Sequence, residues 1–239
     1  MRPRRYLIVN ADDFGQSFGV NQGVIASHEQ GIVTSTSLMV RWPAAEEAAA
    51  YARQHPRLGI GLHIDLGEWS CRDGTWVQHY EVVPADDARA VAGEAVRQLD
   101  RFRRLVGKDP SHIDSHQHIH REAAVAESLA SLARDLDVPL RHYDWRVRYC
   151  GDFYGQMDRG LPMPDAITVE SLIRILKNLP EGISELACHP AAGSDLDTMY
   201  GGERAVELTT LCDPRVHAAV ATYGITLCSF ADLPTPYLG

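Results

Sequence analysis

A chain of 239 residues with 45% hydrophobic content is long enough for one α/β barrel or two small domains and apolar enough for a continuous core, which excludes a disordered protein. The formal net charge of −9 sets long-range repulsion against nucleic acid and anionic membranes as main partners, so a neutral or cationic substrate fits better. Cys71, Cys150, Cys188, Cys212 and Cys228 are odd in number and contain no Cys-x-x-Cys pair, which excludes a disulfide or structural-zinc framework.

Arg2, Arg4 and Arg5 precede an apolar run over residues 6–9 that is too short for a signal peptide or a membrane span, so the chain is expected in the cytoplasm. Short apolar or β-branched runs predict strands at 6–10, 32–40, 58–66, 112–116, 138–141, 185–189 and 225–230. A helix is expected over about 20–30, closed by Gly31 just before the second strand. A longer helix is expected where Val91, Ala95, Leu99, Phe102 and Val106 recur at steps of three and four. Pro84, Asp86 and Asp87 suit its first turn and Gly107 its end. Segments 67–83 and 142–167 lack periodicity and are expected to be loops over a site.

Strand, helix, strand, repeated, implies parallel strands joined by crossover helices. Seven such strands fit either an open doubly wound sheet or a closed or partly closed barrel. The polar residues favour the barrel. Asp12 and Asp13 follow the first strand, His63 lies late in the third, Asp114 and His116 end the fourth, Arg141 ends the fifth and His189 the sixth. Barrel active sites are assembled from the C-terminal ends of several strands, so a single-domain (β/α) barrel over residues 1–239, TIM-like or distorted, is expected.

Asp12 and Asp13 are adjacent, so their side chains diverge and can do separate work, one on a cation and one on a water. The alternative is an N-capping aspartate before a helix starting near Gln16 and Ser17. Residues 112–120 hold four of the eleven histidines, and in an extended chain His112, Asp114, His116 and His118 share a face. Imidazoles beside carboxylates suit a divalent cation, and a buried charge at a strand end needs such a partner. His118 and His120 lie past the expected strand end and are read as supporting or substrate-contacting groups. His63 and His189 are each equally readable as a core histidine. Trp69, Trp76, Tyr143 and Trp145 fall in the two long loops, where aromatic faces stack on sugars or pack on the rim.

The segments LIVNADDFG, GIVTSTSLMV, LGIGLH, HIDSHQHIH, DFYG and CHPA occur in this order across nearly the whole chain. In them the sequence resembles the YdjC-like carbohydrate deacetylases, the family that includes chitooligosaccharide deacetylase and the hopanoid-associated HpnK proteins. The resemblance implies a β/α-barrel-like fold and one divalent cation held by Asp13, His63 and His116, with magnesium first by family and zinc suited by the donors. It departs from the family mainly in the loops around 67–83 and 142–151, where substrate contacts are expected. The expected reaction is hydrolysis of an N-acetyl amide on an amino sugar, with Asp12 as general base and His189 as general acid. Asp114, His118, Arg141, Trp69 and Trp145 are expected to contact the substrate. The competing readings are a non-catalytic sugar-binding or regulatory barrel, which a spare carboxylate such as Asp12 disfavours, and another metal-dependent hydrolase such as a phosphodiesterase, which the lack of a basic cluster disfavours. The sequence leaves the sugar and the oligomeric state open, a homo-oligomer included.

Overall fold

The computed structural model describes residues 4–233 except Asp73, Ser194 and Asp197; Arg2 lies outside this range. The first strand, β1 (Arg5–Phe14), leads into α1 (Phe18–Glu29), whose N-cap is Ser17, its hydroxyl accepting from the Val20 amide at 3.1 Å. Capping is therefore done by Ser17, and Asp12 and Asp13 remain for other work. Then come β2 (Ser35–Leu38), α2 (Ala45–Gln54) and β3 (Gly59–Ile64). Asp87 caps α3 (Ala88–Val106), and Gly107, at φ +83°, ends it in the left-handed conformation that glycine adopts without strain.

The expected loop over 67–83 is instead an antiparallel hairpin, β4 (Gly67–Arg72) and β5 (Thr75–Glu81). Five of the seven β5 residues are exposed in an unbroken run, so no alternating buried face marks it as a strand, and Asp73-Gly74 is the one turn signal in its sequence. After β6 (Ile113–Ser115) and α4 (Ala123–Leu136), the expected strand at 138–141 shrinks to a single parallel bridge between Leu140 and Ile113. Pro139 has no amide hydrogen to extend the ladder, and His142, at φ +69°, turns the chain away. The strand that does form here is β7 (Val147–Cys150), inside the second expected loop. It has only four residues, none fully buried, and lies at a sheet edge, which hides it from apolar patterning. The chain continues through α5 (Val169–Asn178), β8 (Gly182–Cys188), α6 (Gly202–Leu211), α7 (Pro214–Thr222) and β9 (Ile225–Leu227).

The main sheet is wholly parallel and runs β6, β3, β2, β1, β8, β7, with β9 beside the start of β1. Among the described residues β7 ends one side of the sheet and the Leu140 bridge beside β6 ends the other, so the barrel is a curled, open half-barrel and not a closed TIM barrel. Period two sorts its faces. Leu7, Val9, Ala11, Ile60, Leu62, Ile64, Ile113 and Leu186 belong to the apolar core beneath the helices. Asn10, Asp12, Ser37, His63, Asp114 and Glu185 point the other way and are buried. Gly61 leaves room in this concave face, because a Cβ there would stand 2.4 Å from His112 Cε1. No described helix is long and apolar enough to cross a membrane.

Candidate active site and metal centre

Alternation along β1 would send Asp13 to the helix side. An irregularity between Ala11 and Phe14, with Asp13 at φ +67°, re-aims it, so both carboxylates reach the concave side. A non-glycine residue in this conformation costs of order 1 kcal/mol, and such strain concentrates at functional sites.

Asp13 Oδ1 lies 3.2 Å from His63 Nε2 and 3.0 Å from His116 Nδ1, while Oδ2 accepts from Arg204 at 2.6 Å. His63 Nδ1 in turn meets Asp114 Oδ1 at 2.7 Å, which fixes the ring and leaves Nε2 facing Asp13. The Nε2 atoms of His63 and His116 are buried without a hydrogen-bond partner. One donor atom from each of Asp13, His63 and His116 lies within 4.8 Å of the other two. One carboxylate and two imidazoles with orphaned nitrogens fit a divalent cation. A second candidate set, Asp12, His63 and Asp114, shares His63, but Arg141 already occupies both of its carboxylates.

Arg141 sits at the centre of the half-barrel. It binds both oxygens of Asp12 at 2.6 and 2.7 Å, Asp114 at 2.9 Å and Glu185 at 2.6 Å. Burial pushes Asp12 up, but Arg141 outweighs it and holds the carboxyl below its ordinary value. Burial likewise opposes ionisation of Asp13, and Arg204 and His116 hold it well below the usual range. His63 is drawn down by burial and lifted more by Asp114 and Asp13, to about 10.

Three carboxylates around one guanidinium leave Glu185 the least compensated, and burial raises it to about 7. The folded state then holds a proton that the unfolded chain loses above about 4.5, so this contribution to stability is full at acid pH and is lost as pH rises toward 7. Glu185→Gln should abolish the effect. The Tm difference between wild type and variant, followed by circular dichroism from pH 4.5 to 7.5, should move against wild type as pH rises; a constant difference would show Glu185 ionised throughout.

His189 follows β8, its Nε2 3.8 Å from Asp12 Oδ2 and its backbone N–H donating to Glu207. The segment after it is held by close contact with α1, where a Cβ on Gly23 would stand 2.3 Å from Ala191 Cα. Burial lowers the His189 imidazole to about 4, so it rests neutral.

A cavity of about 840 Å³ opens over these groups, and Asp12, Asp13, His63, His116, His118, His189 and Trp69 all line it. Three other expected substrate contacts are placed elsewhere. Asp114 and Arg141 are buried behind the cavity wall, where their polar atoms are spent on His63 and on the carboxylates. Trp145 is 92% exposed and stands outside the lining, because the chain turns away at His142. Trp69 is held by a reciprocal amide pair between its backbone and the Gln117 side chain, at 3.0 and 2.7 Å.

Arg204, on α6, was not legible in the sequence, since it meets Asp13 from 191 positions away. Tyr154 and Tyr200 stack at 4.5 Å with His189 against their edges, and Tyr200 donates to Glu207. The DFYG segment was the one local signal for Tyr154. A second large cavity, of about 600 Å³ between β7 and α5, has no histidine in its lining.

Acids and histidines at the C-terminal ends of β1, β3, β6 and β8 gather around one polar cavity of a parallel α/β protein, the placement from which active sites of β/α folds are built. The model of the YdjC-like protein family matches residues 6–222, and the chain belongs to that family. It is 35% identical to a chitooligosaccharide deacetylase of Serratia marcescens, over 96% of this chain and 99% of that one. It is 33% identical to a carbohydrate deacetylase of Geobacillus stearothermophilus, over 95% and 98% of the two chains. A solved structure from Enterococcus faecalis V583, assigned provisionally to cellobiose-phosphate cleavage, matches with a TM-score of 0.74 at 26% identity, over 95% and 98%.

Proposed function

We propose that this protein, acting through a single deacetylase domain, hydrolyses the N-acetyl amide of an acetylated amino sugar or oligosaccharide and releases acetate. The observation that carries the reading is the convergence of Asp13, His63 and His116 beside a separate ionised carboxylate, Asp12, and a cavity-facing histidine, His189. The deacetylases among the relatives, similar over nearly their full length, support the substrate class.

Asp13, His63 and His116 would hold the cation, magnesium by family resemblance or zinc by donor type. When bound, it supplies Lewis acidity toward the acetyl carbonyl and lowers the pKa of water. Arg204 fixes the orientation of Asp13. Asp12, kept ionised by Arg141, takes a proton from the attacking water. A carboxyl held below its ordinary pKa gives that proton up easily, and His189 at 3.8 Å is placed to receive it. Neutral at rest, His189 acts as an acid only after that transfer, when it protonates the departing amine nitrogen. Trp69 and Trp76, in the cavity wall, offer faces on which a sugar ring stacks.

The test is acetate release from N-acetylglucosamine oligomers, measured beside hydrolysis of a sugar phosphate. Acetate release that a chelator abolishes and Mg2+, Zn2+, Mn2+ or Co2+ restores is the expected result. Turnover of the phosphate ester alone, or full activity in metal-free protein, would overturn the reading.

A further inference from the structure

We propose that His118, His120 and His142 form a second divalent-metal site, for an imidazole-seeking ion such as Zn2+, with an open position toward the cavity. One ring nitrogen from each lies within 4.8 Å of the other two. The ring centroids make a nearly equilateral triangle, 5.6 Å between His118 and His120, 5.3 Å between His118 and His142, and 5.4 Å between His120 and His142. Three imidazoles on one tetrahedral zinc have centroids about 5 Å apart. His118 Nδ1 and His142 Nε2 are 3.2 Å apart, against roughly 3.3 Å for two nitrogens bound to the same zinc.

The remaining nitrogens are arranged to support this. His120 Nδ1 lies 2.6 Å from Ser115 Oγ, and donation to that oxygen leaves its Nε2 lone pair free. That Nε2 is buried without a partner, in a residue with 0% exposure. His118 Nε2 faces the Tyr149 hydroxyl at 3.2 Å, so its Nδ1 is the nitrogen turned to His142. Two of the three ligands thus have an outer partner, a hydroxyl in each case, that orients the ring. Arg141 is itself surrounded by Asp12, Asp114 and Glu185, which offsets its repulsion of a cation.

The backbone is distorted where these side chains are presented. Gln117, His118 and His142 lie at φ +50°, +54° and +69°, left-handed conformations that non-glycine residues hold only when the surroundings over-determine them. His118 and His142 line the cavity that also holds Asp13, so three protein ligands leave the fourth position open toward whatever occupies it.

The experiment is zinc titration of chelator-stripped, untagged full-length protein, with metal counted by elemental analysis after dialysis and geometry read from Co2+ visible absorption. Wild type should bind two equivalents. His142→Ala, an exposed substitution that leaves the core intact, should lose one, with affinity at that site down by at least about tenfold to hundredfold. His116→Ala should lose the other, and the double variant should hold neither. The two readings fail separately. A single equivalent that His142→Ala removes and His116→Ala spares supports this site and counts against the Asp13 centre. Zinc binding that His142→Ala leaves unchanged in number and affinity overturns the second site.

Discussion

Asp12→Asn is expected to cut kcat by about 10²- to 10⁴-fold, the range for losing a general base, while metal content stays near that of wild type. The amide keeps the shape of the carboxylate but cannot take a proton from water. Folding is expected to survive although the residue is buried, because Arg141 keeps Asp114 at 2.9 Å and Glu185 at 2.6 Å. Removing one of three carboxylates from one guanidinium also relieves the repulsion that raises Glu185. Turnover on one acetylated oligosaccharide, measured beside elemental analysis, checks the assignment. Loss of metal in Asp12→Asn with retention in Asp13→Asn would reverse the assignment of base and ligand.

Asp13→Asn is expected to reduce metal affinity first and activity as a consequence, with partial recovery in excess metal, since it removes the one anionic donor proposed for the cation. It carries a second cost. Arg204 is buried and bonded to Asp13 at 2.6 Å, and breaking a buried pair from one side costs up to about 3–5 kcal/mol. A drop in Tm is therefore expected in this variant and not in Asp12→Asn. His116→Ala separates the two effects, because it removes a donor and leaves the Asp13–Arg204 pair intact. It should lose metal with little loss of stability. Retention of metal by both Asp13→Asn and His116→Ala, in protein also lacking the His142 imidazole, would refute the proposed ligand set.

The parallel α/β class, the helices α1 and α3 and the strand-end placement of Asp12, Asp13, His63, His116 and His189 were determined by the sequence alone. The physical reason is local: hydrophobic periodicity marks buried strands and helices, and polar residues at the ends of apolar strands stand out against it. The hairpin of β4 and β5 and the edge strand β7 were not legible, because neither has the alternating buried face by which a strand declares itself.

Only the tertiary structure decided what each polar residue touches. Asp114 and Arg141 read as substrate contacts by their place in the chain, yet the curl of the sheet drives them behind the cavity, where carboxylates from β1, β6 and β8 converge on one guanidinium. Arg204 reaches Asp13 through packing of α6 and has no local signal. His142 meets His118 and His120 through a left-handed turn just after the Leu140 bridge, and a contact across 24 positions leaves no periodic trace. Short-range pattern thus specifies the elements and their exposed ends, while charge pairing and metal-ready clusters depend on long-range packing that periodicity does not encode.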